Sequence, residues 1–283
     1  AILARSLRVA AVTGVDDATG RIRDGDFLIL DGDAGKVIVR PDEALLEQYR
    51  ERQREAAERE RLLARLADVD CVTQDGCRVT MLANIERPEE AEDAVRAGAE
   101  GIGLFRSEFL FLNRCQLPDE EEQYRAYRQV LETLQGRPVT IRTIDVGADK
   151  ILPAQALIPG ATSALGRRAI RYSLAEPEMF LVQLRALLRA SVHGNLQILL
   201  PMLTQPHEVD EAMLLLAQAR QELASRGEPV AEHIPVGGMI EVPAAALSAG
   251  IFASKLDFLA IGTNDLVQYT LAIDRTDQRI AHL

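Results

Sequence analysis

Three arginines in this sequence follow or end apolar runs, where an anionic substrate can be held. Arg106 follows the run at 101–105, Arg142 lies in the run at 139–145, and Arg275 comes ten residues after Asp265. A guanidinium group presents several donors in one plane and pairs well with phosphate or carboxylate. The three arginines are therefore candidate catalytic residues, able to neutralise a transferred anionic group.

Two carboxylates end other apolar runs and suit a hard divalent cation. Glu241 closes the run at 235–242, and Asp265 closes the run at 258–265 beside Asn264. Mg²⁺ takes one or two protein carboxylates, while substrate oxygens and water fill its remaining positions. Glu241 and Asp265 are candidate Mg²⁺ ligands, and Asn264 and Asp265 are candidate contacts to a small substrate that carries phosphate.

Each of these residues also has a structural interpretation. An arginine at a strand end can belong to a surface ion pair. Glu241 can cap the helix that follows it, and Asn264 and Asp265 have the same capping alternative. The coincidence of several suitable side chains at strand ends favours a binding site. The histidines and cysteines are interpreted as structural: His193, His207, His233, His282, Cys71, Cys77 and Cys115.

The elements that must position these residues alternate between short apolar strands and amphipathic helices. This alternation predicts an α/β fold with a parallel sheet. In a (β/α)₈ TIM-type barrel, catalytic residues lie at the carboxyl ends of the strands. Six strands are predicted, so two units of such a barrel would be missing, as if the barrel were truncated after strand six. The strands are 78–85, 101–105, 139–145, 196–202, 235–242 and 258–265.

The chain before the predicted barrel contains two segments of different composition. Residues 1–40 are β-rich, with turn-forming pairs at Asp24-Gly25 and Asp31-Gly32, and are predicted to be the C-terminal part of another domain. Residues 41–70 lack glycine and internal proline, are polar on all sides, and predict a linker helix capped by Asp42. The barrel is predicted over 71–283.

Composition limits the function classes. The chain has 283 residues, 47% of them apolar, and a net charge of -11 without a basic stripe, so nucleic acid is not an expected partner. No apolar run of 18 residues occurs, so membrane insertion is not expected. Three cysteines with no metal-site spacing favour a reducing, cytoplasmic location.

Several long blocks resemble enzyme I of the bacterial sugar phosphotransferase system, the family of phosphoenolpyruvate–protein phosphotransferases. They occur in the family's order across nearly the whole chain, and multidomain relatives fused to other phosphocarrier modules would carry them too. The resemblance implies a phosphoenolpyruvate-binding barrel preceded by a swivelling phosphohistidine domain. The blocks are "GIGLFRSEFLFL", "RTIDVGADKILP", "ALGRRAIR", "GGMIEVPAAAL" and "DFLAIGTNDLVQYTLAIDR".

The resemblance also implies roles for the candidate residues. Arg106 and Arg142 match the arginines that bind the phosphate of phosphoenolpyruvate, and the two candidate metal ligands match the Mg²⁺ ligands. Asn264 and Arg275 match the remaining substrate contacts. The implied reaction is Mg²⁺-dependent transfer of the phosphoryl group to a histidine, and on to a phosphocarrier protein similar to HPr, with release of pyruvate. A homodimer formed through the barrel domain is also implied.

The chain departs from the family pattern at three residues and at its ends. Ala148 replaces a glycine, and Thr162 and Ser163 replace Asn-Pro, which affects loop geometry and not the charged residues. In the family, the segment "ARSL" follows closely after the phosphorylated histidine, so that histidine is expected outside this chain. The family's active-site cysteine is expected on a strand beyond Leu283.

Two other functions fit the same residues. A Mg²⁺-dependent lyase or aldolase acting on a pyruvate enolate uses a similar set of Arg, Glu and Asp, although the preceding β segment and linker helix argue against it. A non-catalytic module that binds phosphoenolpyruvate is the third possibility. Titration with metal and ligand, on this chain beside a longer form, distinguishes them.

Overall fold

The computed structural model of the chain describes residues 9–112, 114, 116–146 and 165–274. It divides into two compact units, Ala1–Val69 and Asp70–Leu283. The predicted domain limits at 40 and 70, with a phosphohistidine domain and a linker, remain predictions.

The first unit contains a hairpin and a long helix. A short helix, α1 (Ala18–Arg21), precedes the antiparallel strands β1 (Leu28–Asp31) and β2 (Lys36–Val39). The turn between the strands begins at the predicted Asp31-Gly32 pair, where Asp31 Oδ1 accepts a hydrogen bond from the amide of Ala34 at 2.9 Å. Helix α2 (Glu43–Ala64) is capped by Asp42, as predicted, and it contains no buried residue.

The second unit is built on six parallel strands that alternate with helices. The strands are β3 (Ala83–Ile85), β4 (Ile102–Arg106), β5 (Pro138–Arg142), β6 (Asn195–Leu200), β7 (Val236–Ile240) and β8 (Phe258–Ile261). The helices are α3 (Glu90–Arg96), α4 (Glu120–Leu134), α5 (Ile170–Ala175), α6 (Pro177–Ala190), α7 (Pro206–Ser225), α8 (Pro243–Leu247), α9 (Ala249–Ala253) and α10 (Thr263–Leu271).

The strand order is the order of the chain, β3 to β8, without reversal. A doubly wound sheet changes direction partway through its strand order, whereas a (β/α) barrel adds each new strand on the same side. The second unit is therefore an α/β half-barrel. A closed barrel of eight strands remains a prediction.

The core lies between the sheet and its covering helices. Every residue of β7 is buried, and the apolar faces of α4 and α6 bury Tyr127, Leu131 and Leu187. Helix α4 begins at the Asp119 cap, whose carboxylate accepts from the Glu122 amide at 2.8 Å. This packing holds the strands, so that their carboxyl ends stand at fixed positions.

The strands end earlier than the sequence predicts. Strands β5, β6, β7 and β8 stop two to four residues before the predicted ends, as a comparison of the ranges shows. The polar residues at the ends of the predicted runs therefore lie in the loops or in the next helix. Within the described residues, no helix is both long and apolar enough to cross a membrane.

Candidate active site

Strands β4 and β5 bring two of the predicted arginines side by side. Arg106, the last residue of β4, is the register partner of Arg142, the last residue of β5. Arg106 is half-buried, and its Nη1 donates to Glu86 Oε1 at 2.7 Å. Glu86 directly follows β3, so this ion pair joins two adjacent strand ends. Arg106 keeps a solvent-accessible side that can approach a ligand.

Arg142 is held in a buried set of carboxylates. Its Nη2 donates to Glu108 Oε1 at 2.9 Å, and its Nη1 lies 3.0 Å from Asp145 Oδ2. The same Nη1 is 4.0 Å from Met239 Sδ on β7, so the side chain extends across the inner face of the sheet. Among the described residues, Arg142 Nε has no hydrogen-bond partner although it is buried.

Glu108 and Asp145 were visible at strand ends in the sequence, but their role as partners of Arg142 was not predicted. Glu108 Oε1 also accepts from the amide of Asp145 at 3.0 Å, whereas its Oε2 is buried and unpaired within the described chain. Burial raises the pKa of Glu108, although the charge of Arg142 acts in the opposite direction. The buried environment thus disfavours the ionised form of Glu108, which lies next to Arg142, a predicted anion-binding residue.

Arg168 is a site residue that sequence reasoning missed. Its Nε and Nη2 donate to Asp145 Oδ1 at 3.1 and 2.8 Å, and its Nη1 reaches Asp265 Oδ1 at 3.5 Å and the Tyr269 hydroxyl at 3.3 Å. Asp145 is therefore shared by two arginines. Arg168 lies before α5 and not at a strand end, so its position carried no signal beyond membership of the "ALGRRAIR" block.

Glu241 lies directly after β7 and is almost completely buried. Its Oε1 accepts from the amide of Met202 at 2.7 Å. The alternative that Glu241 caps the next helix is wrong, because Val242 occupies the N-cap of α8 and no side chain caps it. Burial, followed by the nearby charge of Asp145, raises the pKa of Glu241 to about 7.

Gly262 explains why β8 ends where it does. A Cβ atom at this position would lie 2.5 Å from Glu241 Oε2 and 2.7 Å from Glu241 Cβ. Only glycine leaves room for the buried carboxylate of Glu241 at this position. Helix α10 begins at the next residue. The abrupt change from an apolar strand to small polar residues thus coincides with the edge of the carboxylate cluster.

Asp265 and Asn264 lie in the first turn of α10. The capping alternative for both is wrong, because Gly262 is the N-cap residue and no side-chain cap bond is present. Asp265 is buried and faces Arg168, whereas Asn264 is exposed. Predicted residues that lie outside the described part of the chain are Arg275, Ala148, Thr162 and Ser163.

The charges of this cluster are unbalanced. Burial is the main cause of the raised pKa values of Glu108 and Glu241, and the charge of Asp145 adds to it. In the described chain, two largely buried arginines, Arg142 and Arg168, face four buried carboxylates, which leaves an excess of negative charge. A divalent cation would offset it. The four carboxylates are those of Glu108, Asp145, Glu241 and Asp265.

The donor set fits Mg²⁺ in a site completed by substrate. Over the described residues, no group of three or more His, Cys, Asp and Glu side chains is arranged to hold a metal ion. Mg²⁺ needs fewer protein ligands than that, since one or two carboxylates and substrate oxygens serve it. Glu241 and Asp265 provide such a pair. A separate cleft lined by residues of the first unit between Val9 and Ala56 contains none of the predicted site residues.

Comparisons with known proteins define the class. The family model described as "PEP-utilising enzyme, PEP-binding domain" matches residues 60–283, and the model described as "PEP-utilising enzyme, mobile domain" matches residues 1–35. The chain belongs to the family of PEP-utilising enzymes.

Three similar proteins are each named phosphoenolpyruvate-protein phosphotransferase. The protein of Cupriavidus necator is 54% identical over 286 residues, that of Geobacillus stearothermophilus 46% over 283, and that of Bacillus subtilis 43% over 283. Each alignment covers 100% of this chain and 49 to 50% of the relative, so the chain spans about half the length of these relatives. The resemblance stated from the sequence is confirmed.

Proposed function

We propose that this chain supplies the phosphoenolpyruvate-binding barrel of a phosphoenolpyruvate–protein phosphotransferase, the enzyme I of a sugar phosphotransferase system. The observation that carries the proposal is the register pairing of Arg106 with Arg142, beside buried carboxylates, at the carboxyl edge of a parallel sheet. Strand ends of a (β/α) barrel are where such enzymes bind substrate. The similarity to proteins of that name supports the same assignment.

The arginines would bind the phosphoryl group of phosphoenolpyruvate. Arg106 offers its exposed side, and Arg142 offers donors now held by Glu108 and Asp145, together with the unpaired Nε. Arg275 is the third proposed arginine. Exchange of a carboxylate partner for phosphate keeps the guanidinium of Arg142 paired when substrate binds. Asn264 would contact the substrate with an uncharged donor.

Glu241 and Asp265 would hold Mg²⁺. The metal, when bound, supplies positive charge to the phosphate and to the enolate that leaves. Glu241 must lose its proton to act as a ligand, and its raised pKa means that this proton is lost near neutral pH. Asp265 additionally contacts Arg168, which fixes the first turn of α10 against the site.

The reaction moves the phosphoryl group to an active-site histidine outside this chain. The bond between phosphorus and the enol oxygen breaks, a bond between phosphorus and an imidazole nitrogen forms, and the enolate gains a proton at carbon to become pyruvate. The protein's contribution is positioning and charge neutralisation. The phosphohistidine would then pass its group to an HPr-like phosphocarrier. We also propose that the enzyme is a cytoplasmic homodimer joined through the barrel domain.

The experiment uses the longest natural form of the protein, with phosphoenolpyruvate labelled on phosphorus. We expect Mg²⁺-dependent label on the protein that is stable in base and labile in acid, with one pyruvate released per phosphoryl group. Arg142→Met should abolish labelling. The matched control is Arg54→Met on the exposed helix α2, which should label as the wild type does.

Two results would contradict the proposal. Pyruvate release without protein labelling would favour a lyase-type reaction of the enolate. Binding of phosphoenolpyruvate without either product, in a protein that contains the acceptor histidine, would favour a non-catalytic module that binds phosphoenolpyruvate.

A further inference from the structure

A chain of fully buried polar side chains lies behind the candidate active site. Ser107, Gln123, Tyr127 and Gln183 are each at most 1% exposed, and we call them the Gln183 network. They come from three places: the segment after β4, helix α4 and helix α6. None of them is charged, and none belongs to the set of residues predicted to bind substrate or metal.

Gln183 is the centre of the network. Its Nε2 donates to Ser107 Oγ at 3.2 Å and to the Tyr127 hydroxyl at 3.1 Å, and its Oε1 accepts from the backbone amide of Ile144 at 3.0 Å. Both of its donors and its acceptor are therefore used. Tyr127 in turn donates to Gln123 Oε1 at 3.2 Å, and Gln123 Nε2 donates to the Pro118 carbonyl at 3.1 Å.

The network holds the backbone at Arg142 and two residues beyond it. Ser107 Oγ donates to the carbonyl oxygen of Arg142 at 2.8 Å, and the amide of Ile144 donates to Gln183. Ser107 itself lies between Arg106 and Glu108. One amide side chain thus ties the segment after β4 to the segment after β5; these segments directly follow the two arginines and contain Glu108 and Asp145.

Packing alone does not explain this arrangement. Apolar side chains of the same volume would fill the space, and replacing a buried hydrogen-bonded set in that way can be nearly neutral for stability. What apolar side chains cannot do is fix a carbonyl and an amide two residues apart on the strand that carries Arg142. Catalytic groups need their backbone held to a fraction of an ångström, which a fully satisfied network provides.

We propose that Gln183 is a positioning residue for phosphoenolpyruvate binding, acting through Ser107 and Ile144 to hold Arg142. The inference rests on the proposed function, because it assigns Arg142 to the phosphate. Gln183 does not touch the substrate. It sets the geometry of the guanidinium relative to Arg106, so its loss should affect binding of the phosphate and spare the metal end of the site.

The test compares Gln183→Met with Gln197→Met in the longest natural form of the protein. Methionine matches glutamine in length and removes its polar atoms. Gln197 on β6 is a matched control, because it accepts from Thr140 Oγ1 at 3.0 Å across the sheet, two residues before Arg142 and away from the strand end. Gln197→Met loses a half-buried polar contact to β5, and Gln183→Met loses a fully buried contact to Ile144, just after β5.

Two ligands separate positioning from general damage. Phosphoenolpyruvate with Mg²⁺ needs the arginines, whereas oxalate with Mg²⁺ chelates the metal and has no phosphate. We expect Gln183→Met, which loses three buried hydrogen bonds, to weaken phosphoenolpyruvate binding by about tenfold or more and to change oxalate binding by less than about twofold. Gln197→Met should leave both dissociation constants within about twofold of the wild type.

Each outcome decides the inference. Equal phosphoenolpyruvate binding by Gln183→Met and wild type overturns it, and so does parallel loss of both ligands. If Gln183→Met does not fold, Ser107→Ala removes the bond to the Arg142 carbonyl and the bond accepted from Gln183 Nε2 while leaving Gln183 in place, and it should show the same selective loss. If the wild type binds oxalate but not phosphoenolpyruvate, the proposed function itself has failed, which is a different result from any of these.

Discussion

Arginine and glutamate pair at nearly the same distance in two very different regions of the molecule. On helix α2, Arg54 Nη1 lies 2.7 Å from Glu51 Oε2, and the side chains are 65% and 57% exposed. At the strand ends, Arg142 Nη2 lies 2.9 Å from Glu108 Oε1, with the side chains 10% and 12% exposed. The chemistry of the two pairs is the same, and only the environment differs.

The difference in burial changes how much each ion pair contributes to stability. A surface pair contributes about 0 to 1 kcal/mol, because water and salt screen it. A buried pair loses its hydration, and apolar residues in its place are often as stable or more so. Stability therefore does not explain why Arg142 and Glu108 are buried together, and their burial favours the proposed binding function.

A third set of ion pairs is intermediate in burial between these two pairs. On the outer helices, Glu120 of α4 accepts from Arg185 at 2.7 Å, from Arg189 at 3.0 Å and from Arg226 at 3.4 Å. The side chains of Arg185, Arg189 and Glu120 are 12 to 19% exposed and that of Arg226 is 49% exposed, and all four belong to helices or helix ends. Their arrangement joins α4, α6 and α7, which is a structural task.

The largest effect should come from breaking the buried pair. Arg142→Met leaves Glu108 without its arginine and Asp145 with Arg168 alone, and we expect the free energy of unfolding to fall by about 3 kcal/mol. Urea unfolding measures it. Adding Glu108→Gln to the same chain should recover part of the loss, because one uncompensated charge is removed. A loss below about 1 kcal/mol would place Arg142 in the same class as the surface pairs.

A smaller loss is expected in the outer cluster. Glu120→Gln keeps the shape of the side chain and removes the charge shared by three arginines, so we expect about 1 to 2 kcal/mol of destabilisation. Binding of phosphoenolpyruvate should stay within about twofold of the wild type. A large change in affinity would mean that the outer helices control the site, and the distinction between the two regions would not hold.

The pH dependence of Mg²⁺ binding tests the carboxylate cluster. Because Glu241 has a pKa of about 7, it is mostly protonated at pH 6 and mostly ionised at pH 8. Mg²⁺ affinity should therefore rise by about tenfold across this range. Calorimetry in the presence of phosphoenolpyruvate measures it, and Glu241→Gln should remove the dependence. An affinity independent of pH in the wild type would contradict the assignment of Glu241 as a ligand.

The same pKa has a consequence for stability without metal. Glu241 is raised from its ordinary value of 4.5, so the folded state binds its proton more tightly than the unfolded state does. This group's contribution to stability is fully present below about pH 4.5. It is lost as the pH rises through about 7, which opposes the usual behaviour of ion-paired carboxylates.

The smallest effect is expected on helix α2. Glu51→Gln breaks the exposed pair with Arg54 and should change the free energy of unfolding by less than about 0.5 kcal/mol. Thermal unfolding in low and high salt checks it. A loss comparable to that of Arg142→Met would show that burial is not what separates the two regions.

The strand ends were the part of the site that the sequence could predict. Apolar runs mark strands, and polar residues at their ends mark the carboxyl edge, which is how Arg106, Arg142, Glu241 and Asp265 were found. Period and propensity do not fix where a strand stops, since ladder contacts decide that, so the ends were predicted two to four residues late.

The remaining site residues depend on contacts distant in sequence. Arg168 meets Asp145 across 23 residues and Asp265 across 97, and Gln183 meets Ser107 across 76. No local pattern encodes such pairs. The pKa of Glu241 likewise depends on burial by other strands and on the charge of Asp145, which the sequence alone does not reveal.

The most direct test of the account is calorimetric titration of the longest natural form of the protein with phosphoenolpyruvate, with and without Mg²⁺, beside Arg142→Ala. The account predicts Mg²⁺-dependent binding in the wild type and its loss, by about 100-fold or more, in the variant. Equal binding by wild type and variant, or no binding by a folded wild type, would contradict it.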